Sequence, residues 1–140
     1  MKILLAVDGS DVSLRAVKHV LALRKELAKP PRVILANVDV PLLQRVAVTM
    51  GAQGVARYHA ENADAMLGAA RQQLRRARLE FLEEVHVGDI PKTLLALAKK
   101  HRVDVIVMGS HGNGPFRGMF LGSVSAKVIS NTTVPVTIVR

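Results

Sequence analysis

Cysteine is missing from the 140-residue chain. Disulfides, thiolate metal sites and cysteine nucleophiles are therefore excluded, and cysteine usage leaves the redox compartment open. Tryptophan is missing too, and aromatics amount to three Phe and one Tyr. A platform that stacks single-stranded bases needs exposed aromatics, so nucleic acid is not the expected partner. Acidic residues are scarce, 11 against 20 Lys and Arg. The resulting formal charge of +9 favours anionic partners without choosing among nucleotide, nucleic acid and membrane surface, and it also keeps a protein soluble. No run approaches the ~18 apolar residues of a membrane-spanning helix. The opening Met1-Lys2-Ile3-Leu4-Leu5-Ala6-Val7-Asp8 is too short in apolar residues for a signal peptide and ends at an aspartate instead of a small-residue cleavage site. A soluble cytoplasmic protein with no membrane role is expected.

What is present suffices for a core. Hydrophobic residues make up 49%, and the length suits one domain over residues 1–140. Residues 3–7 form a continuous apolar run, the pattern of a strand buried on both faces. Asp8-Gly9-Ser10 breaks it, and Ser10 or Ser13 can cap a helix running to about Leu27, which Pro30-Pro31 ends. Residues 33–38 are a second strand. Residues 41–62 show no clean period and contain Gly51 and Gly54; a long loop with a helical turn is expected there, and such loops often cover a site. From Ala63 a helix follows, with Leu67, Ala70, Leu74 and Ala77 as its stripe and Arg71, Arg75, Arg76 and Arg78 as a solvated basic face.

Residues 81–87 make a third strand, whose Glu83 and Glu84 suggest an edge. Asp89 and Pro91 mark the next helix start. Residues 103–108 are a fourth strand, a last helix spans about 123–130 with Ser123 as its cap, and Asn131 can close it in a left-handed conformation. Residues 134–139 are a fifth strand, placed at an edge by Pro135, which cannot donate to a ladder. Strand–helix alternation implies a mostly parallel sheet with helices on both faces. Ligands of such sheets bind at the carboxyl ends of the strands, where the winding reverses. Asp8 and Gly109 lie at two such ends.

The segment after the fourth strand carries the chemistry. It reads Gly-Ser-His-Gly-Asn-Gly-Pro-Phe-Arg-Gly-Met-Phe-Leu-Gly-Ser-Val-Ser from Gly109 to Ser125. Glycines let the backbone approach a ligand closely, and the first turn of the following helix presents free N–H groups and a positive dipole end to an anion. A phosphate cradle is the natural use. It is not a P-loop, because Pro115 stands where the lysine belongs, and the spacing of Gly112, Gly114 and Gly118 misses the dinucleotide fingerprint by one residue. Neighbouring Ser110 and His111 suggest a nucleophile and base, but adjacent side chains in extended backbone point apart, so no catalytic dyad is expected. His19, His59, His86 and His101 lack metal-ligand spacing and read as surface residues.

The spacing Gly109-x2-Gly112-x9-Gly122-Ser123 resembles the nucleotide-binding branch of the universal stress protein family. Ala6-Val7-Asp8-Gly9-Ser10, Val87-Gly88-Asp89-Ile90-Pro91, the run from Asp104 to Gly112, Leu121-Gly122-Ser123-Val124-Ser125 and the run from Val134 to Val139 are similar to that family as well. The resemblance implies an open five-stranded parallel sheet in the order 3-2-1-4-5 and an ATP-binding regulatory protein, with a divalent cation such as Mg or Mn on the phosphates. It implies a homodimer through the last strand. Residue by residue, it implies Asp8 on the ribose hydroxyls, Val38 with Ala6 and Met108 at the adenine, and Gly109 and His111 beside the sugar and its loop. Gly112, Asn113 and Gly114 would wrap the phosphates, with Gly122, Ser123, Val124 and Ser125 supplying amides and hydroxyls. Asn37 stands where the family often has histidine, a departure expected to bear on the adenine end. Two other functions stay open: a slow ATPase or phosphotransferase on the same site, and a nucleotide-independent interaction module that uses the basic surface.

Overall fold

The structure, a computed structural model, describes residues 1–112 and 121–140. In chain order its elements are β1 (Lys2–Ala6), α1 (Asp11–Glu26), β2 (Arg32–Asp39), α2 (Gln44–Arg76), β3 (Phe81–Val87), α3 (Ile90–His101), β4 (Val105–Gly109), α4 (Ser123–Asn131) and β5 (Val136–Val139). The five strands are parallel and ordered β3-β2-β1-β4-β5. The central strand explains the layering. Ile3, Leu4 and Leu5 are all 0% exposed, which requires cover on both faces. Ile3, Leu5 and Val7 pack with Val17 and Val20 of α1 and Leu67 and Leu74 of α2. Leu4 points the other way, into Leu94 and Leu97 of α3, Ile106 of β4 and Val128 of α4. Period-two alternation in the strands thus feeds two cores, one per face.

Local signals set the helix ends. Ser10 caps α1, its side chain accepting from Ser13 N, and Asp89 caps α3, accepting from Lys92 N, with Pro91 in the first turn. β3 and β5 are the sheet edges, as Glu83, Glu84 and Pro135 predict.

Several expectations need correction. Residues 41–62 are largely helical, because α2 starts at Gln44. Its period is unreadable since no residue between Val40 and Tyr58 is buried, and core contact is what writes a period into a sequence. Gly51 breaks the helix there with φ 73° and ψ 167°. Asn131 does not turn left-handed; it is the last residue of α4, its side chain donates to Lys127 O, and Thr132 is extended. Left-handed residues instead follow α2 and α3, at Arg78 and Arg102. Arg71 does not belong to a solvated basic face, because it grips Glu83 with two bonds of 2.8 Å and Asp64 with one of 2.7 Å, tying α2 to β3. Those carboxylates raise its pKa further, against the effect of burial.

His59 and His101 depart from the surface reading, while His19 and His86 keep to it. His59 is 8% exposed and bonds Asp39 at 2.7 Å. His86 and His101 both reach Glu84, at 2.7 and 2.5 Å. The hydrogen bond from Lys100, helped by His86 and His101 and opposed by burial, lowers the Glu84 carboxyl from 4.5 to about 2.

Candidate functional site

A cleft partly open to solvent lies at the carboxyl ends of β1, β2 and β4. This is the switch point of the sheet: β1 passes to β2 on one side and pairs with β4 on the other. Its lining includes nine of the residues singled out from the sequence: Ala6, Asp8, Val38, Met108, Gly109, His111, Gly112, Val124 and Ser125. Gly122 and Ser123 sit at the start of α4 and do not line it. Asn113 and Gly114 fall outside the described residues.

Asp8 is set by its own turn. Gly9 has φ +80°, and an added Cβ would lie 3.0 Å from the Met66 Cα, so only glycine suits this bend. Ser10 then donates through its N (3.0 Å) and Oγ (2.6 Å) to Asp8 Oδ1. The other carboxylate oxygen faces the glycine loop: a Cβ on Gly112 would collide with Asp8 Oδ2. Asp8 Oδ2 and the bare backbone of Gly112 therefore lie against each other in the lining of the cleft.

The loop is fastened at its root. Ser110 N donates to Val139 O at 2.8 Å, and Gly122 N donates to Ser110 O at 2.7 Å. Ser125 Oγ, on a side chain 2% exposed, donates toward Gly109 O (2.9 Å) and Ser110 O (3.2 Å). Its proton is thus spent on protein carbonyls, so Ser125 pins α4 to β4. Gly109 packs against α1, where a Cβ would lie 2.9 Å from Val12 Cγ1 and 3.2 Å from Ser13 N. A Cβ on Gly122 would press on His111 Cα at 3.2 Å and Ser110 O at 3.3 Å.

The expected cap at Ser123 is not made. Gly122 occupies the cap position, Ser123 is the first helical residue, and no side chain caps α4 among the described residues. By contrast, α1 and α3 are capped by side chains. The first-turn amides of α4, like those of α2, thus have no side-chain cap among the described residues, and those of α4 start beside the cleft that Val124 and Ser125 line.

Ser110 and His111 do not point apart, since Ser110 Oγ and His111 Nδ1 are 3.0 Å apart. The loop departs from extended backbone there, which brings the neighbours together. Ser110 is only 2% exposed, however, so its hydroxyl lies behind the cleft wall. Asn37 does not line the cleft. It lies on the face of β2 opposite Val38, donating to Val7 O (2.9 Å) and to Met66 Sδ (3.2 Å). Its Oδ1 is buried without a partner among the described residues.

Sequence reasoning missed Val7, Ser13, Ala36, Ile90 and Leu94 of the lining. Period two places Ala36 with Val38, and the apolar stripe of α3 carries Ile90 and Leu94, so both signals were present. Val38 and Met108 are 8% and 5% exposed, which makes the inner end apolar. The Asp8 and Gly112 end is polar. Such a cleft fits a ligand with a flat apolar head, a hydroxylated middle and an anionic tail.

Comparison with known proteins agrees with this architecture. The Universal stress protein family model matches residues 1–140. Universal stress protein MJ0531 of Methanocaldococcus jannaschii is 29% identical over 139 residues, covering 99% of this chain and 81% of its own. The solved structure of MJ0577, a universal stress protein of the same organism, superposes with a TM-score of 0.84 at 28% identity, covering 99% of this chain and 94% of that one. A universal stress protein solved in complex with cAMP superposes with a TM-score of 0.67 at 27% identity, covering 100% and 96%. Fold, strand order and whole-length match coincide, and the chain belongs to the universal stress protein family.

Proposed function

We propose that this protein binds an adenine nucleotide, ATP foremost, in the cleft at the strand ends and acts as a regulatory nucleotide-binding protein. The observation that carries this is Asp8 set opposite Gly112, beside the uncapped first turn of α4. The cAMP complex of a relative 27% identical supports the adenine class.

In this assignment the adenine rests among Ala6, Val38 and Met108, and Asp8 accepts from the ribose hydroxyls. Gly109 and His111 flank the sugar. Gly112, with Asn113 and Gly114, follows the phosphates, Gly122 lets the chain pass close to them, and the amides of Ser123, Val124 and Ser125 donate to them. Charge-assisted N–H bonds to phosphate are about twice as strong as neutral ones, so the amide cluster supplies much of the affinity. A Mg or Mn ion would travel on the phosphates, because multiply charged phosphate ordinarily carries one. β5, a sheet edge, is the surface through which two cytoplasmic copies would pair, along residues 134–139.

Isothermal titration with ATP and Mg²⁺ tests the assignment. Saturable binding by wild type and at least about tenfold weaker binding by Gly122→Val, whose side chain would press on Ser110 and His111 and displace the root of the glycine loop, is the expected result. Equal affinity of the two proteins, or no binding to folded wild type, would overturn it.

A further inference from the structure

The β2–α2 excursion leaves the sheet beside the cleft and returns to the same side chain. Val40 N donates to Asp39 Oδ1 at 2.9 Å. The returning helix brings His59 Nδ1 to Asp39 Oδ2 at 2.7 Å and Asn62 Nδ2 to the same oxygen at 3.0 Å. Asp39 and His59 are each 8% exposed. Burial opposes ionisation of Asp39, but the bonds from Asn62 and His59 prevail and hold its carboxyl below the ordinary value. One carboxylate thus clasps both ends of an arm. Between the clasp points nothing is buried.

The arm nevertheless carries an apolar stripe. Leu43, Val46, Ala47 and Met50 recur at helical spacing, and Leu43 is 66% exposed, Val46 38% and Met50 39%. A helix this short is marginal in water on its own, and a stripe of this kind needs an apolar surface to cover.

Three observations say which surface. Gly51, at φ 73°, separates residues 44–50 from the rest of α2, and a Cβ there would meet nothing within 4 Å. Glycine is needed for its dihedral freedom, as at a hinge. The root of the arm is also the rim of the cleft. Val38 lines the cleft, Val40 and Pro41 line the adjoining groove, and Ile90 and Val124 line both. Finally, Arg45 and Arg57 are the arm's only charged residues between 40 and 58, a balance that suits an anionic ligand.

We propose that residues 41–50 are a lid that swings at Gly51, with Asp39 as the fixed clasp, and lays Leu43, Val46 and Met50 over the groove and the base of a bound adenine nucleotide. This rests on the nucleotide assignment above.

Hydrogen exchange on the intact chain, with and without saturating ATP, tests it, with occupancy measured by titration of the same sample. Amide exchange at 43–50 slowed at least about tenfold by ATP is expected, alongside slowing at 108–112 and 122–125. Bound ATP with unchanged exchange at 43–50 overturns the lid and leaves the nucleotide site standing. No ATP binding overturns both. Protection of 43–50 that exists without nucleotide and fades on dilution overturns the lid in favour of a second copy covering the stripe. Gly51→Ala disfavours the φ 73° break and joins the two helices. About tenfold faster ATP release is expected from it, the loss of roughly one large apolar side chain of cover. Unchanged release would overturn the hinge.

Discussion

Replacing Ser125 and Ser123 by alanine, one at a time, separates two roles that a motif cannot tell apart. Ser125 is 2% exposed and its hydroxyl bridges to Gly109 O at 2.9 Å and Ser110 O at 3.2 Å. In Ser125→Ala, Ser110 O keeps its bond from Gly122 N, so the loss is one shared buried hydrogen bond and a partly unsatisfied Gly109 carbonyl. That amounts to about 1–2 kcal/mol, or roughly 3–8 °C in melting temperature for a chain of this length. Ser123 is exposed and makes no cap bond, so Ser123→Ala should leave stability within about 0.5 kcal/mol. Its hydroxyl can meet a phosphate, and its loss should weaken ATP by roughly ten- to a hundredfold, the worth of one bond to a charged group. Differential scanning calorimetry and ATP titration on both variants give the full comparison. A Ser125→Ala protein that melts with wild type would refute the pinning role, and a Ser123→Ala protein that melts lower with ATP affinity intact would refute the division of labour.

Gly112→Val should keep the fold, because the position is exposed, yet lose at least about tenfold in ATP affinity as the side chain displaces Asp8 Oδ2; equal affinity in titration would place the ligand elsewhere. Glu84 gives an acid signature. Its carboxyl is held at about 2, below the ordinary 4.5, so its stabilisation is complete above pH 4.5 and drains away as pH falls toward 2. Lys100 is 60% exposed, so solvent screening limits the contribution to about 1 kcal/mol. Urea titrations of wild type and Glu84→Gln should differ by that amount at pH 6 and converge by pH 2; a gap that does not change with pH would contradict the assignment.

Much of this molecule was legible in its sequence because burial leaves a pattern. Ile3, Leu4 and Leu5 declare a strand covered on both faces, Ser10 and Asp89 declare helix starts, and Glu83 and Pro135 declare edges. The cleft was legible through its glycines, since Gly109 and Gly112 stand where a Cβ would strike Val12 or Asp8. The arm was not, because residues 40–58 pack against no core and so keep no period, and Gly51 looks like a loop residue although it joins two helices. Long-range polar pairs were equally silent. Nothing along the chain tells that Asp39 meets His59, or that His86, Lys100 and His101 converge on Glu84, because those meetings are made by strand register and helix docking. Ser123 misled for a simpler reason. Serine at a helix start usually caps it, but here the chain enters α4 one residue earlier, through Gly122.

The central claim is that the cleft between Asp8 and the glycine loop is where an adenine nucleotide sits. Titrating ATP and Mg²⁺ into isotope-labelled protein and following amide resonances tests this residue by residue. Shifts should concentrate at Ala6, Asp8, Val38, Met108, Gly109, Gly112 and Ser123 to Ser125. Shifts confined to another surface, such as the Arg75 and Arg78 groove at the end of α2, or no shifts at saturating ATP, would contradict it.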